Sequence, residues 1–290
     1  MYKEVAFDPV CMAQFEYYSL LKQHFGFEHG RYVSADIKAW AQEAMANVKA
    51  SQLQPVKEKS IKYYLNKMVR ERGSEEFQLA VDRKKIVADG WTNWWTQQNK
   101  YRAFTLTISE NPQIPCIQIE QINDKHADWE VPRSISIAGN ADEIVKTLLP
   151  SCFLSSEITI IDPYFKLADN KVLKKLIQEL QIINVTKLKI VSTIIPDKPA
   201  DNYNNYYKAL NNNKISFSWI VAPDKFFHDR YFITDIGAIR SGNGFEEQAK
   251  KGAHADMLNL NIIGFDEAKR TLANLNEFLR KNPKSIIFQV

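Results

Sequence analysis

Between residues 10 and 100 the apolar positions recur at helical spacing. Phe15, Tyr18, Leu21 and Phe25 form one stripe, Trp40, Ala44 and Val48 a second, and Ile61, Tyr64, Leu65 and Met68 a third. Ser34-Ala35-Asp36 supplies a start for the second helix. Pro55 suits the first turn of the third, which ends before Gly73. A fourth helix is expected over residues 74–87, followed by Gly90 and the cluster Trp91, Trp94 and Trp95.

The pattern changes near Tyr101. Residues 103–108 and 116–120 alternate as strands do, with Asn111-Pro112 as the turn, so a hairpin is expected. After Pro132 strands and helices alternate: strands at 134–137, 157–161, 188–191, 215–221 and 226–234, helices at 142–149, 170–180, 203–210 and 266–280, and an edge strand at 285–290. Such alternation predicts an α/β layer structure around a mixed sheet. The fold class read from the pattern is therefore α/β, with a helical N-terminal domain over residues 1–100 and a mixed-sheet α/β domain over residues 101–290. No α/β unit repeats internally.

Composition narrows the class. Hydrophobic residues make up 45% and charged residues 25% of the 290, as in ordinary globular proteins. No window of the chain approaches the apolar length of a membrane span, and the N-terminus lacks the apolar run of a signal peptide. The formal net charge is +4, which permits a polyanionic partner without requiring one. Three cysteines, Cys11, Cys116 and Cys152, form no CxxC pair, so reduced thiols and a cytoplasmic setting are expected rather than a disulfide framework or structural zinc. No cluster has metal-ligand spacing, and neither a metal nor another cofactor is expected.

Chemistry concentrates in His228-Asp229-Arg230-Tyr231-Phe232-Ile233-Thr234-Asp235. On a strand, His228 and Arg230 would project from the same face. Phosphate suits them, because guanidinium offers a planar fork of donors and imidazole can attack phosphorus or shuttle a proton. Taken alone, the residues favour a structural role, with His228 and Arg230 capping a sheet edge or pairing with Asp162 or Asp235, because structural ion pairs are common.

This segment resembles the H-x-K-x4-D motif of the phospholipase D superfamily, with Arg230 at the Lys position and Asp235 at the Asp position. Gly242 falls where the superfamily's Gly-Ser-x-Asn begins, and is followed by Asn243 and Gly244. Ile160-Ile161-Asp162-Pro163-Tyr164-Phe165 resembles the strand-end Pro-Tyr-Phe signature of such domains. The resemblance covers residues 134–290 and is nearest to single-motif His-Asp-Arg variants, such as the C-terminal domain of MIT-domain proteins and bacterial relatives.

It implies a metal-independent phosphodiesterase, foremost a nuclease, in which His228, Arg230 and Asp235 are catalytic and Asp162, Gly242, Asn243 and Gly244 hold phosphate. Because catalysis in the family uses two motifs and this chain shows one, it implies a homodimer. Nucleic acid is the implied partner, and bacterial antiviral defence the setting. Arg for Lys and the missing Ser and Asn depart from the catalytic pattern. They point to the alternative, a phosphate-recognition module that turns nothing over or a subunit of a larger complex, with the N-terminal helices contacting a protein partner.

Weaker candidates remain. His254 reads as a surface or loop residue, and Asp256 precedes an apolar strand. The tryptophan cluster suits core packing better than base stacking. The basic stretch 57–102 suits a solvated helix face better than a nucleic-acid surface.

Overall fold

A computed structural model describes residues 1–183, 185–212, 214–247 and 257–290. His254 and Asp256 lie outside the described residues. The chain divides into two units, Tyr2–Val131 and Pro132–Val290.

The first unit is not all-helical. Strands β1 (Lys3–Phe7), β2 (Arg31–Val33) and β3 (Leu106–Ile108) form a parallel sheet in the order β2-β1-β3. Val5 pairs with Leu106 and Lys3 with Arg31, so the sheet joins segments about a hundred residues apart. That pairing is why residues 101–131 belong to this unit instead of opening the second, as the pattern change near Tyr101 suggested. The expected hairpin does not form either. Ile117 makes a single parallel bridge to Ile108, and α5 (Ile119–Asn123) begins two residues later.

Around the sheet lie α1 (Phe15–His24), α2 (Ile37–Ala50), α3 (Pro55–Glu71) and α4 (Trp91–Tyr101). The stripes of α2 and α3 are buried as their spacing requires, and the Asp36 carboxylate caps α2 by accepting the Ala39 amide at 2.8 Å. The helix expected over 74–87 is lost to competition from β2. The Gln78 amide donates to the Val33 carbonyl at 2.9 Å, and the Val33 amide donates to the Glu76 carbonyl at 2.8 Å. Only a 3-10 turn, Asp82–Lys85, remains. From it Arg83, 0% exposed, reaches Glu4 at 2.6 Å. Arg102 reaches the same carboxylate at 2.6 Å, so the buried charge is paired. Trp91 and Trp95 are buried, and the Trp95 indole donates to Thr107 at 3.0 Å.

The second unit carries an eight-stranded mixed sheet in the order β11-β7-β6-β5-β8-β9-β10-β4. In chain order its elements are β4 (Ser134–Ala138), α6 (Ala141–Cys152), β5 (Glu157–Ile161), α7 (Lys171–Leu180), β6 (Lys187–Ser192), α8 (Pro199–Tyr206), α9 (Lys208–Asn211), β7 (Ser216–Val221), β8 (Arg230–Thr234), β9 (Ala238–Ser241), β10 (Met257–Ile262), α10 (Phe265–Lys281) and β11 (Ile286–Gln289). Strands β5, β6 and β7 run parallel, while β8 and β9 return antiparallel. Helix α7 shows the logic most plainly. Asn170 caps its start, and Val172, Leu173, Leu176, Ile177 and Leu180 are buried along one face. Burying each of the larger ones fully contributes about 1.5–3 kcal/mol.

The chain is an α/β protein, and both units mix helices with sheet. No described helix is long and apolar enough to cross a membrane. All three cysteines are free thiols.

Candidate functional site

Strand β5 ends at Ile161 opposite Tyr231, so Asp162 and Arg230 meet at the ends of two central strands. Strand β9 brings Ser241 opposite Arg230, and the turn Gly242–Phe245 closes over the same strand ends. Three separated segments thus converge because the registers of β5, β8 and β9 end together.

Asp162 is 2% exposed. One carboxylate oxygen, Oδ2, accepts the Phe245 amide at 2.8 Å, and Oδ1 accepts the Tyr164 amide at 3.1 Å. Burial pushes its pKa up, while those two amides and the nearby Arg230 charge pull it back. Gly244 makes the approach possible. Its φ is +91°, and a Cβ there would sit 2.5 Å from Asp162 Oδ2.

Arg230 is half-buried. Its Nη1 donates to the Gly242 carbonyl at 3.0 Å, whereas its Nε is buried without a hydrogen-bond partner. The guanidinium carbon lies 5.4 Å from the centroid of the Tyr164 ring. Tyr164 is 61% exposed, because the Asp162-Pro163-Tyr164-Phe165 turn buries Phe165 and directs its neighbour outward. Glu246 is adjacent. It accepts from the Lys166 amide and from Asn170 Nδ2, and burial raises its pKa.

The expected site residues therefore separate. Asp162, Arg230, Gly242 and Gly244 come together, with Asn243 exposed on the same turn. The Gly242 amide donates to the Asn259 carbonyl at 3.2 Å and the Phe245 amide to Asp162, so these two amides hold the turn in place.

Asp235 lies at the opposite end of β8. Its Oδ2 accepts the Ser156 amide at 2.6 Å, the Ser156 hydroxyl at 2.7 Å and the Glu157 amide at 3.3 Å, which fixes the start of β5. It does not join the Arg230 pocket, where a catalytic role was expected of it, because Arg230 opens β8 and Asp235 follows its last residue.

His228 is exposed and precedes β8, which begins only at Arg230. It lines a depression of about 620 Å³ with Phe226, Tyr231, Glu267 and Phe278. Phe226 packs on Phe278 with ring centroids 4.7 Å apart, so the expected strand 226–229 is drawn toward α10. Among the described residues no group of metal-ligating side chains converges.

Tyr164 and Glu246 were missed as site residues from sequence. The Pro-Tyr-Phe signature held a signal for Tyr164, since one of two adjacent aromatics at a strand end must face outward. Glu246 sits in a loop with no pattern to mark it.

The arrangement suits anion recognition: a guanidinium anchored by one arm, a buried Nε without a partner, and an exposed ring beside it. No protein-family model matches the chain, and no curated protein matches it in sequence. Among solved structures, TrmBL2, an archaeal chromatin protein whose structure shows a novel mode of DNA binding, is 14% identical over 80% of this chain and 72% of its own, with a TM-score of 0.32. At that score the likeness carries no functional argument.

Proposed function

We propose that residues 132–290 form a phospholipase D-like module that recognises a phosphate group of nucleic acid at Arg230. The observation that carries this reading is the buried Arg230 Nε, left without a partner beside an exposed Tyr164. A buried donor without a partner costs about 1–3 kcal/mol, and a bound anion that draws the guanidinium toward it recovers that cost. Tyr164 adds a face on which a base can stack. The absence of a Ser-x-Asn segment after Gly242 supports recognition over turnover.

The test is fluorescence anisotropy with labelled single-stranded DNA, duplex DNA and RNA, with inorganic phosphate as competitor. Arg230→Ala is expected to weaken binding about 10- to 100-fold, the value of one or two charge-assisted hydrogen bonds. Unchanged affinity in that variant discards the reading.

A second reading, metal-independent phosphodiester cleavage by a homodimer, draws on one observation: the exposed His228 imidazole lies two residues ahead of Arg230. There His228 would attack phosphorus to form a phosphohistidine, and the second copy's His228 would protonate the leaving oxygen. Cleavage of the same substrates in EDTA, lost in His228→Ala, selects this reading. Binding without cleavage leaves the recognition module.

A further inference from the structure

A groove of about 1070 Å³ in the N-terminal unit has no part in the Arg230 site. It is bounded by the first turn of α2, the end of α3, the segment after the Asp82–Lys85 turn, and α4. Ile37, Val69, Leu79, Ile86, Val87 and Trp94 supply its apolar lining. Val87 is 86% exposed, an unusual place for a large aliphatic side chain.

Lys38, Arg72 and Lys84 stand around this lining, each on a different element. Among the described residues none of these three cations has an ion-pair partner. The one acid at the groove, Asp36, is occupied in capping α2. Arg83, in the wall, is neutralised by Glu4. The groove therefore presents apolar surface under an uncompensated positive rim.

Arg72 strengthens the case. It ends α3 in the left-handed region at φ 51°, with Gly73 next in sequence. Glycine takes that position at no steric cost, and an arginine there is strained. The strained position puts a guanidinium at the groove.

We infer that this groove docks an acidic amphipathic peptide segment of a partner protein. Charge complementarity requires acidic groups in the occupant. The three cations come from three separate elements around the groove, which suits carboxylates carried along a chain. The lining is mostly aliphatic, which packs Leu, Ile and Val side chains, whereas nucleobases favour aromatic platforms. This inference is independent of the Arg230 reading.

The test selects peptides by phage display on the intact protein and measures their affinity by anisotropy, with labelled oligothymidylate alongside. Selected peptides are expected to combine Asp or Glu with aliphatic residues. Lys84→Glu and Val87→Asp, both at exposed positions, are expected to weaken them about tenfold or more. Arg72→Gly is expected to weaken binding while holding or raising thermal stability, which a merely structural role would not produce. The inference is overturned if no peptide is selected, if the selected peptides lack acidic residues, or if all three variants bind normally. Oligothymidylate binding that the variants abolish, with no competition from the peptides, overturns it in favour of nucleic acid.

Discussion

Replacing Gly244 by alanine tests the geometry that holds the candidate site together. Two costs add. A residue with a Cβ at φ +91° carries strain of about 1–2 kcal/mol. The new Cβ would also sit 2.5 Å from Asp162 Oδ2, so the carboxylate must retreat from the Phe245 amide. Losing that hydrogen bond to a buried charge costs about 1–3 kcal/mol. The sum, about 2–5 kcal/mol, is a large share of the stability of an ordinary domain. Hydrogen exchange read by mass spectrometry on peptides covering 157–162 and 230–245 reports the unit directly within the whole chain. At about 1.4 kcal/mol per decade, exchange there should accelerate about 30-fold or more. Gly242→Ala is the control, because its φ is ordinary and nothing lies within 4 Å of an added Cβ. It should change stability by no more than about 0.5 kcal/mol. Equal protection in the two variants would refute the argument that Asp162 requires glycine opposite it.

Asp235→Ala should destabilise the second unit by about 0.5–1.5 kcal/mol, because the exposed Ser156 and Glu157 donors exchange its carboxylate for water. It should leave phosphate affinity at Arg230 unchanged, which chemical denaturation and anisotropy can check together. Asp162 governs a pH dependence. Its folded pKa lies above the ordinary carboxyl value, so its stabilising contribution is complete below about 3.9, the unfolded value, and is lost as pH rises through the raised folded value. Denaturation of wild type and Asp162→Asn across that window should show wild type losing ground to the variant as pH rises. A constant or opposite difference contradicts burial as the dominant cause.

Much of the second unit was legible because its signals are local. The α7 stripe and the compact apolar run of β5 declare their buried faces within a few residues. The placing of Asp162 at a strand end and Arg230 on a strand followed from the same patterns. The first unit was less legible. Lys3–Phe7 is too short to show a period, and its partner at Leu106 lies about a hundred residues away. Residues 74–87 carry helical spacing that Val33 overrides by taking hydrogen bonds on both sides of Phe77.

The candidate site divides along the same line. His228-Asp229-Arg230 and the Gly242–Gly244 turn stand out in the sequence by residue type alone. Which of them meet was decided by register. The β5–β8 pairing sets Arg230 beside Asp162 and carries Asp235 to the far end, and the β8–β9 pairing sets the Gly242 carbonyl on the guanidinium. The sequence by itself determined the α/β class, the main helices and the residues rich in chemistry, because periodicity and side-chain type are properties of short segments. The tertiary structure decided the domain limits and the working set at Arg230, because strand pairing draws its energy from partners far apart in the chain.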